Sequence, residues 1–73
     1  MSYDIQLYEM MSTTNDKFKY LEGSKNLLQY DTTYNIYWFG RFHTSSIVKE
    51  KRTKTKVILQ TLNSIYIFKK VKG

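Results

Sequence analysis

The chain has 73 residues with no Cys, no Pro and a single His, and its twelve Lys and Arg outnumber six acids for a net charge of +6. That length leaves room for one small β domain over residues 1–73, near the lower limit for a fold held by an apolar core alone, and the lack of Cys excludes disulfides, thiolate metal sites and a Cys nucleophile. No apolar run approaches the about 20 residues that span a bilayer, and Met1-Ser2-Tyr3-Asp4-Ile5 lacks the features of a secretion signal, so a cytoplasmic protein is expected.

Apolar residues recur mostly at a spacing of two, and the stock is β-branched and aromatic, which predicts strands. Tyr3, Ile5 and Leu7 share one face of a first strand that ends at the polar turn Ser12-Thr13-Thr14-Asn15-Asp16. A second strand is expected over residues 17–21, with Phe18 and Tyr20 on one face and Glu22-Gly23 as its stop. Ser24 is placed to cap a single helical turn through Leu28 and Gln29, with Asn26 the weaker cap. From 33 to 42, Tyr34, Ile36, Trp38 and Phe42 fall on one side and Asn35, Tyr37, Phe39 and Arg41 on the other. His43 to Ser45 reads as a corner. Residues 46–51 and 53–61 pair as a hairpin around Lys51-Arg52, and a tight connection at Leu62-Asn63-Ser64, with Asn63 suited to a positive φ, leads into a strand over 65–71.

The expected fold is therefore all-β with one short helical turn: a small five- to six-stranded barrel or bent antiparallel sheet, Src-homology-3-like or oligonucleotide-binding-like. The four-residue step before the final strand resembles the helical turn that precedes the last strand of Src-homology-3-like barrels.

The segment Thr44-Ser45-Ser46-Ile47-Val48, followed by Thr61-Leu62-Asn63-Ser64-Ile65-Tyr66, resembles the ending of short uncharacterised β-proteins of bacteriophages and other mobile elements, which finish with a Thr-Ser-x-Val strand and a Thr-x-Asn-Ser-x-Tyr hairpin. The resemblance covers about a third of the chain and carries no catalytic assignment. It implies an origin in a phage, prophage or plasmid, where small proteins commonly bind nucleic acid or block a host protein.

Catalysis finds little to work with. The six acids (Asp4, Glu9, Asp16, Glu22, Asp31 and Glu50) are scattered, and His43 beside Thr44 and Ser45 reads as a corner residue bonded to backbone, so no enzyme is expected. No metal or other cofactor is implied, and the isolated Gly23, Gly40 and Gly73 form no phosphate-binding loop.

The charge is polarised instead. Nine of the twelve basic residues lie within 41–73, where Glu50 is the only acid. Lys49, Lys51, Arg52, Lys54 and Lys56 cluster on the hairpin, where they suit a phosphate backbone or guard an exposed sheet edge; Lys69, Lys70 and Lys72 extend the same pole. Trp38, with Tyr34 and Ile36, is expected in the core. Tyr37 and Phe39 beside Arg41 then form a second core face of a strand buried on both sides, a platform for stacking bases, or a protein-binding hot spot. The function read from these residues is non-enzymatic nucleic-acid binding, of a type the sequence does not name. The alternatives are a protein-directed inhibitor of a host nucleic-acid-handling or defence enzyme, and a virion assembly role through homo-oligomeric pairing of sheet edges.

Overall fold

Seven strands and one short helix make up residues 6–72, the part of the chain that the computed structural model describes. In chain order they are β1 (Leu7–Thr13), a 3-10 helix (Asp16–Leu21), β2 (Lys25–Asp31), β3 (Ile36–Phe39), β4 (Phe42–His43), β5 (Lys49–Arg52), β6 (Lys56–Gln60) and β7 (Ile65–Lys70). All pairings are antiparallel, in the order β4-β3-β2-β1-β7-β6-β5. The all-β expectation holds, with seven strands where five or six were counted. Because β4 pairs only with β3 and β5 only with β6, the sheet is not closed into a barrel. No helix among the described residues is long and apolar enough to cross a membrane.

Two local assignments change. Residues 17–21 are helical, not extended: the Asn15 side chain accepts a hydrogen bond from the Lys17 amide at 3.0 Å, capping the first turn. A 3-10 helix repeats every three residues, so Phe18 and Leu21 share its inner side while Tyr20 points to solvent. The expected helical turn after Ser24 is instead the start of β2. Gly23, at φ 87°, reverses the chain, its amide donates to the Met10 carbonyl, and the Ser24 carbonyl accepts from the Met10 amide, which draws the following residues alongside β1. Nor does a helical turn precede the last strand.

Two strand faces also turn over. In β1, Tyr8 and Met10 are buried and Leu7 is exposed; Tyr3 and Ile5, expected on Leu7's face, lie outside the described residues. A bulge at Met11 then shifts the alternation, so that Thr13 is the next buried residue. In β3, Tyr37 and Phe39 are buried, Trp38 is half-buried against the His43 ring, and Tyr34 is 67% exposed. Of the expected core trio only Ile36 is buried. The long strand expected there is cut at both ends by positive φ, 54° at Asn35 and 65° at Gly40, so Tyr34 and Phe42 do not share its phase. Among the described non-glycine residues Asn35 holds the left-handed position, not Asn63.

The sheet bends sharply around its inner face. From β3 to β5 is five steps along the strand order, about 24 Å in a flat sheet. Yet the Tyr37 hydroxyl donates to Glu50 Oε1 at 2.5 Å, and Asn35 and Ile47 exchange two hydrogen bonds at 2.8 and 2.9 Å. Tyr8, Met10, Leu21, Tyr37, Phe39, Val57, Leu59, Tyr66 and Phe68 fill the concavity. Phe39 meets Phe68 there at 5.1 Å, and the 3-10 helix closes one end by setting Phe18 edge-on to Tyr66. Phe39→Ala should therefore cost about 3–5 kcal/mol, a large share of the stability of so small a domain, and Trp38→Ala clearly less. Urea unfolding followed by circular dichroism, which needs no tryptophan, measures both.

Candidate nucleic-acid interface

The basic hairpin is β5 and β6, and its turn lies at Lys54-Thr55, three residues beyond the expected Lys51-Arg52. Thr53 organises it: its amide donates to the Lys56 carbonyl at 2.9 Å and its hydroxyl accepts from the Lys56 amide at 3.0 Å. A side-chain oxygen thus does what Asn-Gly backbone geometry does elsewhere. Lys51 and Arg52 are strand residues in consequence, and consecutive strand residues face opposite ways.

Register sorts the charges. Arg52 pairs with Val57 and Glu50 with Leu59, both buried, so this acid and this base lie on the inner side. Lys49 and Lys51, opposite Gln60 and Ile58, lie on the outer side. Along the outer side a transverse row runs Lys56, Lys69, Glu9, Lys25 across β6, β7, β1 and β2, each residue directly opposite the next. At the end of the row, Lys25, Lys69, Lys70 and Lys72 line one hollow with Glu9, Thr55 and Val71. The two ion pairs among the described residues are Lys19–Asp16 and Arg52–Glu50, and neither engages this face.

That placement separates the two accounts of the lysines. Guarding an edge explains Lys49 and Lys51 on β5, an outermost strand, but not Lys56 and Lys69 on strands with neighbours on both sides. Like charges directly opposite each other oppose strand pairing. The sheet carries such a pair at Lys56–Lys69, where the outer surface is richest in lysine.

Four expected site residues belong elsewhere. Tyr37 and Phe39 are 3% and 4% exposed, so they form no open platform. Arg52 is engaged within the fold: it pairs with Glu50, its Nη2 donates to the Tyr37 hydroxyl at 2.7 Å, and its guanidinium lies 5.8 Å from the centre of the Tyr37 ring. Arg41 sits in the β3–β4 turn at the other edge of the strand order, lining a hollow with Lys17, Phe18 and Phe42. Lys49, Lys51, Lys54 and Lys56 do stand together, all exposed. Lys25 joins their face only through the pairing of β2 with β1, which the helical reading of residues 24–28 concealed.

The Tyr37, Glu50 and Arg52 side chains form a closed network beneath this face. Burial raises the Glu50 carboxyl, but hydrogen bonds from Tyr37 and Arg52 outweigh it and hold the group below the usual carboxylate range. Burial first, and the bond to Glu50 second, push the Tyr37 hydroxyl up. The Arg52 guanidinium is held charged by Glu50 and Tyr37.

His43 is not a corner residue but ends β4 opposite Trp38; its Nδ1 does rest 2.9 Å from the Thr44 carbonyl oxygen, the backbone contact expected of it. No three His, Asp or Glu side chains converge in a metal-binding group among the described residues. The segments 45–48 and 61–64 of the mobile-element resemblance face each other across one hollow, and buried hydroxyls beside it are used in structure: the Thr44 hydroxyl accepts from the Tyr37 amide at 3.2 Å, and the Thr61 hydroxyl donates to the Ser64 carbonyl at 3.4 Å. No protein-family model, curated protein or solved structure matches the chain.

Tyr37→Phe keeps the ring and deletes the hydroxyl that bridges Glu50 and Arg52, and should cost about 1–3 kcal/mol in chemical unfolding. The same network sets the response to pH. Glu50 is lowered in the folded state, so its contribution is present above the ordinary carboxylate range and disappears as pH falls through the folded value; Tyr37 is raised, so its contribution is present below pH 10.0 and disappears as pH climbs through the folded value. Melting temperatures recorded from pH 3 to 11 should show both losses, and the alkaline one should shrink in Tyr37→Phe.

Proposed function

We propose that this chain is a non-enzymatic nucleic-acid-binding protein of a phage or mobile element, and that its outer lysine face, formed by Lys49, Lys51, Lys54, Lys56, Lys69 and Lys25, neutralises the phosphate backbone. The observation that carries the reading is Lys56 opposite Lys69 on interior strands: a repulsive pair with no role in edge protection, relieved when an anion lies across it. A phosphate chain running over the row meets several lysines in turn. Each phosphate that is neutralised releases condensed counterions, which supplies affinity and makes it fall with salt. Backbone contact of this kind positions the strand and reads no sequence.

Titration of labelled single-stranded and duplex DNA and RNA over a salt series tests this. Wild-type affinity should fall steeply with salt, and Lys56→Ala and Lys69→Ala should each lower the slope by roughly one unit on every sequence alike. Thermal stability should hold or rise slightly in these variants, because a like-charge pair is removed. Arg52→Ala should do the reverse, lowering stability through its broken network and leaving the slope nearly unchanged. Absence of binding at low salt would overturn the proposal and direct the search to a host protein as the target.

A further inference from the structure

With Tyr37 and Phe39 inside, the exposed rings beside cations are at another corner of the molecule. Tyr20 in the 3-10 helix is 64% exposed and Phe42 in β4 is 38% exposed. Their ring centres lie 5.6 Å apart, edge to face at 79°. Phe42 also meets Phe18 at 6.1 Å, and Phe18 meets the buried Tyr66 at 5.9 Å. The two exposed rings are thus anchored to the core through a chain of edge-to-face contacts and are not free to swing with the loop.

Cations border this corner. Arg41 and Lys17 line one hollow with Phe18 and Phe42, and the ion pairs of the described residues involve neither of them. Asp16 is the acid nearest in the chain, and its carboxylate is taken up by Lys19 at 3.1 Å. Fixed, half-exposed rings flanked by unpaired cations are what an unstacked base and its adjoining phosphates require: the ring offers a π face to any base, and the cations hold the backbone on either side.

We infer that Tyr20 and Phe42, with Arg41 and Lys17, form a stacking site for the unpaired bases of a single-stranded nucleic acid. The inference rests on the nucleic-acid reading above and adds which form of the polymer is bound. In a duplex the bases are stacked on one another, so the corner distinguishes strands that the lysine face alone treats alike.

Affinity for a single-stranded oligonucleotide, measured against an abasic strand of the same length and charge, isolates the contribution of the bases. The wild type should favour the base-bearing strand by about tenfold to a hundredfold. Tyr20→Ala and Phe42→Leu should each cut that ratio severalfold and leave the salt slope in place. Tyr20 is solvent-exposed, so its variant keeps the test decisive even if Phe42→Leu unfolds. Lys56→Ala with Lys69→Ala should weaken both strands equally and preserve the ratio. Salt-dependent binding of both strands with a ratio of one, or a ratio unmoved by Tyr20→Ala, would overturn the stacking site and leave the lysine face standing. Failure to bind either strand at low salt would overturn both.

Discussion

A single side-chain network determines whether this sheet has an inside. Seven short strands laid flat would expose both faces to water and bury too little to hold together. Tyr37 on β3 instead reaches Glu50 and Arg52 on β5, drawing together strands that stand five steps apart in the sheet. The interaction suits the task. The Tyr37 ring belongs to the apolar core, while its hydroxyl donates to the carboxylate and accepts from the guanidinium, so a buried polar atom is fully used. Once the two flanks are held, Phe39 can meet Phe68 across the concavity and the 3-10 helix has an end to cover.

Bending also divides the charges. The acid and the base that face inward satisfy each other, whereas the lysines that face outward are left on the convex side, where the only carboxylate in their transverse row is Glu9. The net positive charge is therefore displayed on a surface and not spread through the fold. Its potential falls off within about 8 Å at physiological salt, so it acts on a polymer laid against the sheet more than on distant solutes.

Much of this was legible in the residues, and the failures have identifiable causes. Strands β6 and β7 alternate cleanly, with Val57 and Leu59, then Tyr66 and Phe68, pointing inward, and their pairing as part of a run of hairpins follows. Residues 17–21 were ambiguous because Phe18 with Tyr20 fits a strand and Phe18 with Leu21 fits a helix; the Asn15 cap decided between them. In β3 both faces carry aromatics, so local pattern gives no preference. The choice was made by Glu50 and Arg52, which lie 13 and 15 residues further along, the one read as a scattered acid and the other as part of a basic cluster until the fold brings them back. Neighbouring letters in a strand point apart, so a run of basic residues in sequence is not a patch in space. The patch that does form, from Lys56, Lys69 and Lys25, depends on register between distant segments, and the exposed rings at Tyr20 and Phe42 depend on how a helix meets an edge strand.

The pairing of β1 with β7 places the first and last of the described strands side by side in the middle of the sheet, flanked by β2 and β6. Most neighbours in this sheet are joined by short turns and can form as local hairpins, but this central seam joins residues such as Glu9 and Lys69 that are separated by nearly the whole chain. Closing so long a loop is entropically unfavourable and slow compared with closing a hairpin. The consequence is a temporal order. While the chain is being synthesised, no strand pairing connects β1 to β4 with the β5–β6 hairpin until β7 is available, so each group keeps a bare strand edge. The interval before β7 emerges is the one in which this protein is most exposed to aggregation.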